Sequence, residues 1–255
     1  MEEYLIKGRT LPEAYHKALV TLEENGVIVD CPDYDQKQKE ITGTIHVSEP
    51  TAENRISKLC IGGPKELRQY ELEILDGILD FIIGKGDNLW NYTYHDRFAP
   101  WLNFVIEDLK RERYSRRAAI VIRDNEADSK SKHPVCLQSI QFMIRQDRLD
   151  MFVEFRSRDL PEAFFMNAFA LTRLQEKVAV ELEVPVGTYS DRSISLHAYE
   201  KNFEITTDWV EKHIKVRPHN ELVYPYEGYY KDLMAESDEE IAEMIAAKKA
   251  QYGVK

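Results

Sequence analysis

The 255-residue sequence contains no apolar run near the roughly twenty residues that a bilayer-spanning helix requires, and 31% of its residues are charged. A membrane partner is therefore not expected. Cysteine is scarce. Cys31, Cys60 and Cys136 stand alone without CxxC spacing, which excludes a zinc-knuckle or disulfide framework and suits reduced thiols in a cytoplasmic protein. The opening MEEYLIKGRT puts acids first and has no apolar core of signal-peptide length, so no secretory signal is read. HExxH, GxGxxG and P-loop patterns are missing, and no His, Asp or Glu spacing suggests a metal site. Positive charge is in deficit. A net charge of −11 argues against a general nucleic-acid binder, DNA included.

No internal repeat, low-complexity tract or Gly/Ser linker divides the chain, so a single domain over 1–255 is expected. Strand and helix patterns are mixed without regular β-α-β alternation, which gives an α+β class. Residues 31–47 read as a polar loop running into a strand. Helix signals occur at 51–61 and again from Gly63-Pro64, where Leu67, Ile74, Ile78 and Ile82 keep helical spacing to Gly84. The segment 84–98 reads as a loop, with GKGD at 84–87 a turn and not a phosphate cradle. A helix near 99–111, a short strand in RRAAIVIRD and a polar loop at 124–134 follow. Beyond residue 159 come a long helix (160–184), a strand in SISLHAYE, a loop over RPHNELVYPYEGYY and a terminal helix from about 237.

Between these lies the most informative stretch, HPVCLQSIQFMIRQDRLDMFVEFRSRD (133–159). Leu149, Met151, Val153 and Phe155 alternate with polar residues, as in a half-buried strand. With Arg145–Arg148 as the turn, Ile144 faces Leu149, Phe142 faces Met151 and Ile140 faces Val153. That register sets Cys136 opposite Ser157. A strict strand would point Arg156 away from both, so a bulge near Phe155 is needed to bring all three to one ligand. Most unpaired cysteines are small buried hydrophobes, and pattern alone favours that reading of Cys136. An arginine-flanked thiolate is the functional reading. The arginines cluster at 111–123 and 156–158, as an anionic ligand would require. Two polar residues also interrupt helical apolar stripes, Glu71 between Leu67 and Ile74 and Asn167 between Phe164 and Leu171. Each is costly to bury without a partner.

The order SRR (115–117), PVC (134–136), FRSRD (155–159), Asn167 and HAY (197–199) resembles the folate-dependent thymidylate synthase family, over roughly residues 64–200 and most closely its archaeal branch. The resemblance implies a homodimer built on a large twisted mixed sheet packed against helices. It also implies a pyrimidine nucleotide, dUMP, as substrate and 5,10-methylenetetrahydrofolate as co-substrate. Carried over, Cys136 is the nucleophile that adds to C6. Arg156, Ser157 and the partner subunit's Arg116 and Arg117 hold the 5′-phosphate. Asn167 reads the base, His197 and Tyr199 bind the sugar 3′-hydroxyl, and Asp159 binds the pterin. Glu71 is the acid that organises proton transfer, and Tyr94 lines the pocket. The expected reaction is reductive methylation of dUMP to dTMP. Hydroxymethylation of dUMP, dCMP or CMP is the alternative, and a non-catalytic nucleotide- or RNA-binding relative a third reading.

Some residues depart from the family pattern. Leu137 follows the nucleophile where the bacterial pattern has histidine, and Ala163 and Met166 replace a glycine and an aromatic residue near the folate. The N-terminal phosphate loop offers only Lys37 or Lys39 in place of arginine. The ending AAKKAQYGVK lacks the short apolar tail that shuts water out, which is what keeps hydroxymethylation open.

Overall fold

A computed structural model describes residues 2–85 and 91–254. Its elements are β1 (Glu3–Gly8), α1 (Leu11–Asn25), β2 (Val27–Cys31), β3 (Gln36–Val47), β4 (Ile56–Ser57), α2 (Pro64–Asp76), α3 (Tyr94–Arg111), β5 (Ala119–Val121), α4 (Asn125–Ser129), β6 (Leu137–Arg145) and β7 (Arg148–Asp159). They continue with α5 (Phe165–Glu181), β8 (Val186–Tyr199), α6 (Phe203–Asp208), β9 (Val223–Tyr224), α7 (Lys231–Ala235) and α8 (Asp238–Gln251). A seven-stranded mixed sheet runs β1-β3-β8-β7-β6-β5, with β2 also pairing with β3. The β1–β3 and β7–β8 pairs are parallel, the others antiparallel. The α+β expectation holds.

One face of the sheet packs on helices. Leu149, Met151, Val153 and Phe155 from β7 join Tyr189 from β8, Phe142 from β6 and Ile45 from β3 in one core. Ala14, Tyr15, Ala18, Leu19 and Leu22 of α1 and Phe169, Leu171, Leu174 and Val178 of α5 cover them, all buried. The opposite face leaves Leu5, Val121, Phe152 and Ile194 exposed.

Three sequence expectations change. The loop expected to open residues 31–47 shrinks to a turn, and the strand it runs into begins already at Gln36. A tight turn at Pro32–Tyr34 joins β2 to β3, and alternation of buried Ile41, Gly43, Ile45 and Val47 makes β3 an interior strand. Residues 51–61 form turns and the short β4 instead of a helix. Arg55 is buried there against Glu176 and the rings of Phe169 and Tyr226, a tertiary contact that local propensity does not reveal. The helix from Pro64 stops at Asp76, before Gly84. Gly77 adopts φ 61°, and a β-carbon there would collide with His95 and Asp80, so the left-handed cap requires glycine. Residues 86 and 87 of the GKGD turn read at 84–87 lie outside the described residues.

Candidate active site

The hairpin turn is where the pattern put it, and Ile144–Leu149, Phe142–Met151 and Ile140–Val153 pair as expected. The bulge is elsewhere. The ladder shifts between Leu137 and Ser139, so the extra residue is Gln138 in β6, and the predicted kink near Phe155 is replaced by one on the partner strand. Gln138 donates from Nε2 to the carbonyls of Val135 and Cys136, at 2.9 and 3.1 Å. The shift sets Cys136 opposite Arg156, whose backbone N–H donates to the Cys136 carbonyl at 2.9 Å. Leu137 turns into the core, fully buried, and Cys136 turns the other way.

The side chain of Arg156 is held by carbonyls. Its Nε donates to Val135 at 3.0 Å and its Nη2 to Pro134 at 2.6 Å, with Nη2 3.6 Å from Cys136 Sγ. These bonds aim a fixed positive charge at the thiol. Burial nevertheless pushes the thiol above its ordinary value, and Arg156 and then Arg158 pull it back only partly. The resting sulfur is a thiol at neutral pH. The arginines near 116 take no part in this balance. Substituting Arg156 by glutamine should raise the thiol pKa further and slow iodoacetamide alkylation of Cys136 at pH 8 by about tenfold, roughly one pH unit of lost thiolate. An unchanged alkylation rate would contradict the arginine's role.

Cys136 and Arg156 open onto a cavity of about 460 Å³, within the range of small-molecule sites. Tyr94, Ser157, Asp159, Asn167, His197 and Tyr199 also line it. Four elements deliver them. β7 and β8 run parallel, pairing Ser157 with Ser195 and Asp159 with His197, so both strands end at this rim, and the intervening α5 adds Asn167. Tyr94 is the first residue of α3, fixed by the Thr93 cap, whose Oγ1 accepts from Asp96 N at 3.0 Å. Its ring meets Phe155 edge-on, and burial keeps its hydroxyl neutral. His197 donates from Nδ1 to the Ser195 carbonyl at 3.2 Å, which leaves Nε2 as an acceptor. That atom is buried without a partner, and burial holds the ring neutral. An orphan acceptor here suits a hydroxyl donor on a ligand.

Asp159 Oδ1 accepts from Glu162 N at 3.0 Å, yet burial raises its carboxyl from 3.8 to about 7. The folded protein thus keeps a proton that the unfolded chain releases near pH 4. The associated stability is fully present below pH 4 and is lost as pH rises through about 7. Asp159→Asn retains a capping oxygen. It should therefore raise Tm over wild type at pH 8 and leave it unchanged at pH 4, and equal shifts at both pH values would refute the assignment.

Not every sequence candidate reaches the cavity. Glu71 is buried, but its Oε1 accepts from Arg173 Nε at 2.8 Å and its Oε2 from Arg68 Nη1 at 2.9 Å. Those bonds tie α2 to α5, and Arg68 continues to Asp238 on α8. The neighbouring Tyr70, turned about 100° around the helix, meets Asn167 instead. Arg116 and Arg117 are exposed and do not line the cavity of their own chain, and Arg117 pairs with Asp108 at 2.9 Å. Lys39 faces Glu23 at 2.8 Å, and neither it nor Lys37 lines the cavity. Among the described residues, the cation that does, besides the arginines of β7, is Lys132, and His133 beside it, just before the PVC motif, lines the cavity too. Both lie in the stretch expected to be a polar loop, although their position next to Cys136 was a usable signal. Among the described residues, no group of three or more His, Cys, Asp or Glu side chains could hold a metal ion, and no helix is long and apolar enough to cross a membrane.

A second cavity of about 600 Å³, between β1, α1 and residues 214–222, contains none of the Cys136 group.

Comparison with known proteins points to one family. Residues 70–237 match the family model described as thymidylate synthase. A Methanocaldococcus jannaschii protein named "Putative thymidylate synthase" is 29% identical over 216 residues, spanning 82% of this chain and 95% of its own. A protein of the same name from Methanothermobacter thermautotrophicus is 38% identical over 118 residues, 44% of this chain and 53% of its own. In fold, the chain is similar to thermostable thymidylate synthase A from Bacillus subtilis, with a TM-score of 0.61 at 15% identity, covering 78% of this chain and 84% of the other. The family model spans the Cys136 hairpin, α5 and both strands that end at the cavity, and on that match the chain belongs to the thymidylate synthase family.

Proposed function

We propose that the protein is a pyrimidine-nucleotide C5 one-carbon transferase that converts dUMP to dTMP. The observation that carries this reading is the Arg156 guanidinium 3.6 Å from Cys136 Sγ in a cavity shared with Asn167, His197 and Tyr199. Cys136 forms an S–C6 bond to the base after losing its proton, and the C5=C6 electron pair moves toward C5 and O4. The Asn167 amide stabilises the charge at O4. Once C5 had bonded to the one-carbon unit, the C5 proton would pass to solvent and the carrier would leave as its bond to that carbon breaks. Hydride (methyl) or water (hydroxymethyl) would add to the exocyclic carbon as elimination of sulfur restores the ring. Arg156 and Ser157 hold the phosphate, as bidentate-capable arginine suits that anion, and His197 Nε2 and Tyr199 receive the sugar hydroxyl.

The buried carboxyl of Asp159 suits a pterin, whose ring offers both donors and acceptors to a group that titrates near neutrality. Bound there, 5,10-methylenetetrahydrofolate would supply the one-carbon unit and, for a methyl product, the hydride. Arg116 and Arg117 act in the site of a second copy, docked through the sheet face that leaves Leu5, Val121, Phe152 and Ile194 exposed. Incubation with labelled dUMP and methylenetetrahydrofolate, with products identified by mass spectrometry, tests the reading. A 5-methyl product with an absorbance rise from dihydrofolate supports methylation. A 5-hydroxymethyl product without that rise replaces it by hydroxymethylation, and no product at all refutes transfer.

A further inference from the structure

β1 lies at the end of its sheet and pairs with β3 alone among the described residues. Gly8 turns its carbonyl toward β3, where it accepts from Ser48 N–H at 3.1 Å. Successive residues of a strand turn their N–H and C=O groups to opposite sides, so Tyr4 and Ile6 bond β3 as Gly8 does. Leu5 and Lys7 turn theirs outward. Lys17 Nζ reaches that outer side from α1 and donates to the Lys7 carbonyl at 2.9 Å. The N–H and C=O of Leu5 and the N–H of Lys7 are left without a protein partner among the described residues. Another strand can complete such a row.

This edge borders the cavity of about 600 Å³ between β1, α1 and residues 214–222. Ile6, Val20 and Leu222 give it an apolar lining, and Leu5 at the edge is 61% exposed. Its charge is unbalanced. Lys17 and Glu13 neutralise each other at 2.7 Å, and burial keeps His219 neutral. Lys7 on one wall and Arg217 on the other are exposed and make no ion pair among the described residues. Two unpaired cations in a chain of net charge −11 favour an acidic occupant. The β1 strand of a second copy fits less well, because its one acid, Glu3, is already bonded to Arg192 at 2.9 Å. We propose that the β1 edge is a docking site for an extended acidic peptide segment of a partner protein, which joins the sheet as an added strand. Backbone bonds to Leu5 and Lys7 supply the pairing. Alternate apolar side chains enter the groove, and carboxylates meet Lys7 and Arg217.

A fluorescein-labelled peptide of alternating glutamate and valine, titrated with the full chain and followed by fluorescence anisotropy, tests the idea. It should bind, and a peptide of alternating lysine and valine should not. The double variant Lys7→Glu/Arg217→Glu, which changes two exposed side chains, should weaken binding by about tenfold, the worth of two surface ion pairs. Hydrogen exchange followed by NMR separates strand addition from adsorption by charge. At saturating peptide the Leu5 amide should exchange more slowly by about tenfold or more. No binding of the acidic peptide, equal binding of both peptides, or binding that leaves the Leu5 amide unprotected overturns the proposal. Sedimentation velocity of the peptide-free protein covers the other occupant. Self-association that protects the same amide and is lost in the double variant assigns the edge to a second copy and overturns the peptide partner.

Discussion

Cys136→Ala should stop the release of tritium from C5-labelled dUMP, a loss on the order of 10⁴-fold or more, as for other removed nucleophiles. The C5 proton becomes labile only after sulfur has added at C6, so no other cavity residue can substitute. In the proposed reaction Asn167, Ser157 and His197 bind the ligand but supply no electron pair to C6. The change removes one half-buried sulfur next to a bulge, so thermal melting should move little. dUMP affinity measured by calorimetry should also persist, because Arg156 is held by the carbonyls of Pro134 and Val135 and not by the thiol alone. Release at the wild-type rate would show that the nucleophile has been misassigned.

The largest stability effect is expected at Asp191. Arg158 and Asp191 form an ion pair at 1% and 0% side-chain exposure. Asp191 also accepts from the Tyr189 hydroxyl at 2.7 Å and from Ser193. The guanidinium lies 3.8 Å from the centre of the Phe155 ring and 4.6 Å from that of Phe164. Asp191→Ala would leave a cation enclosed by rings and carbonyls, at a cost of about 3–5 kcal/mol. For a chain of this size the melting temperature should fall by roughly 10 °C. The double variant Arg158→Met/Asp191→Leu removes both charges from an apolar setting and should regain most of that loss. A single variant as stable as wild type would mean that water reaches the pair.

The hairpin and its apolar register were legible because a period of two persists through Leu149, Met151, Val153 and Phe155. Its last turn was not. The bulge at Gln138 depends on side-chain bonds to nearby carbonyls, and these leave no trace in hydrophobic periodicity. Glu71 illustrates the opposite failure. Its burial was legible from the stripe of Leu67 and Ile74, but burial does not say what lies on the other side. Arg173, 102 residues away in sequence, supplies that answer. Arg158 went unassigned for a related reason. An arginine at a strand end usually reads as solvated, and its partner lies on β8, across a parallel pairing that sequence alone does not specify.

That parallel pairing has a practical side. From the Leu149–Val186 pair to the Asp159–His197 pair, β7 and β8 run side by side for a span of ~30 Å at about 3.3 Å per residue. The exposed turn at Gln146 and Asp147 therefore sits at the rim remote from the cavity. A fluorophore or surface tether attached at Gln146 hangs from the far end of the sheet, where it can report on or immobilise the protein without standing in the path of an entering nucleotide.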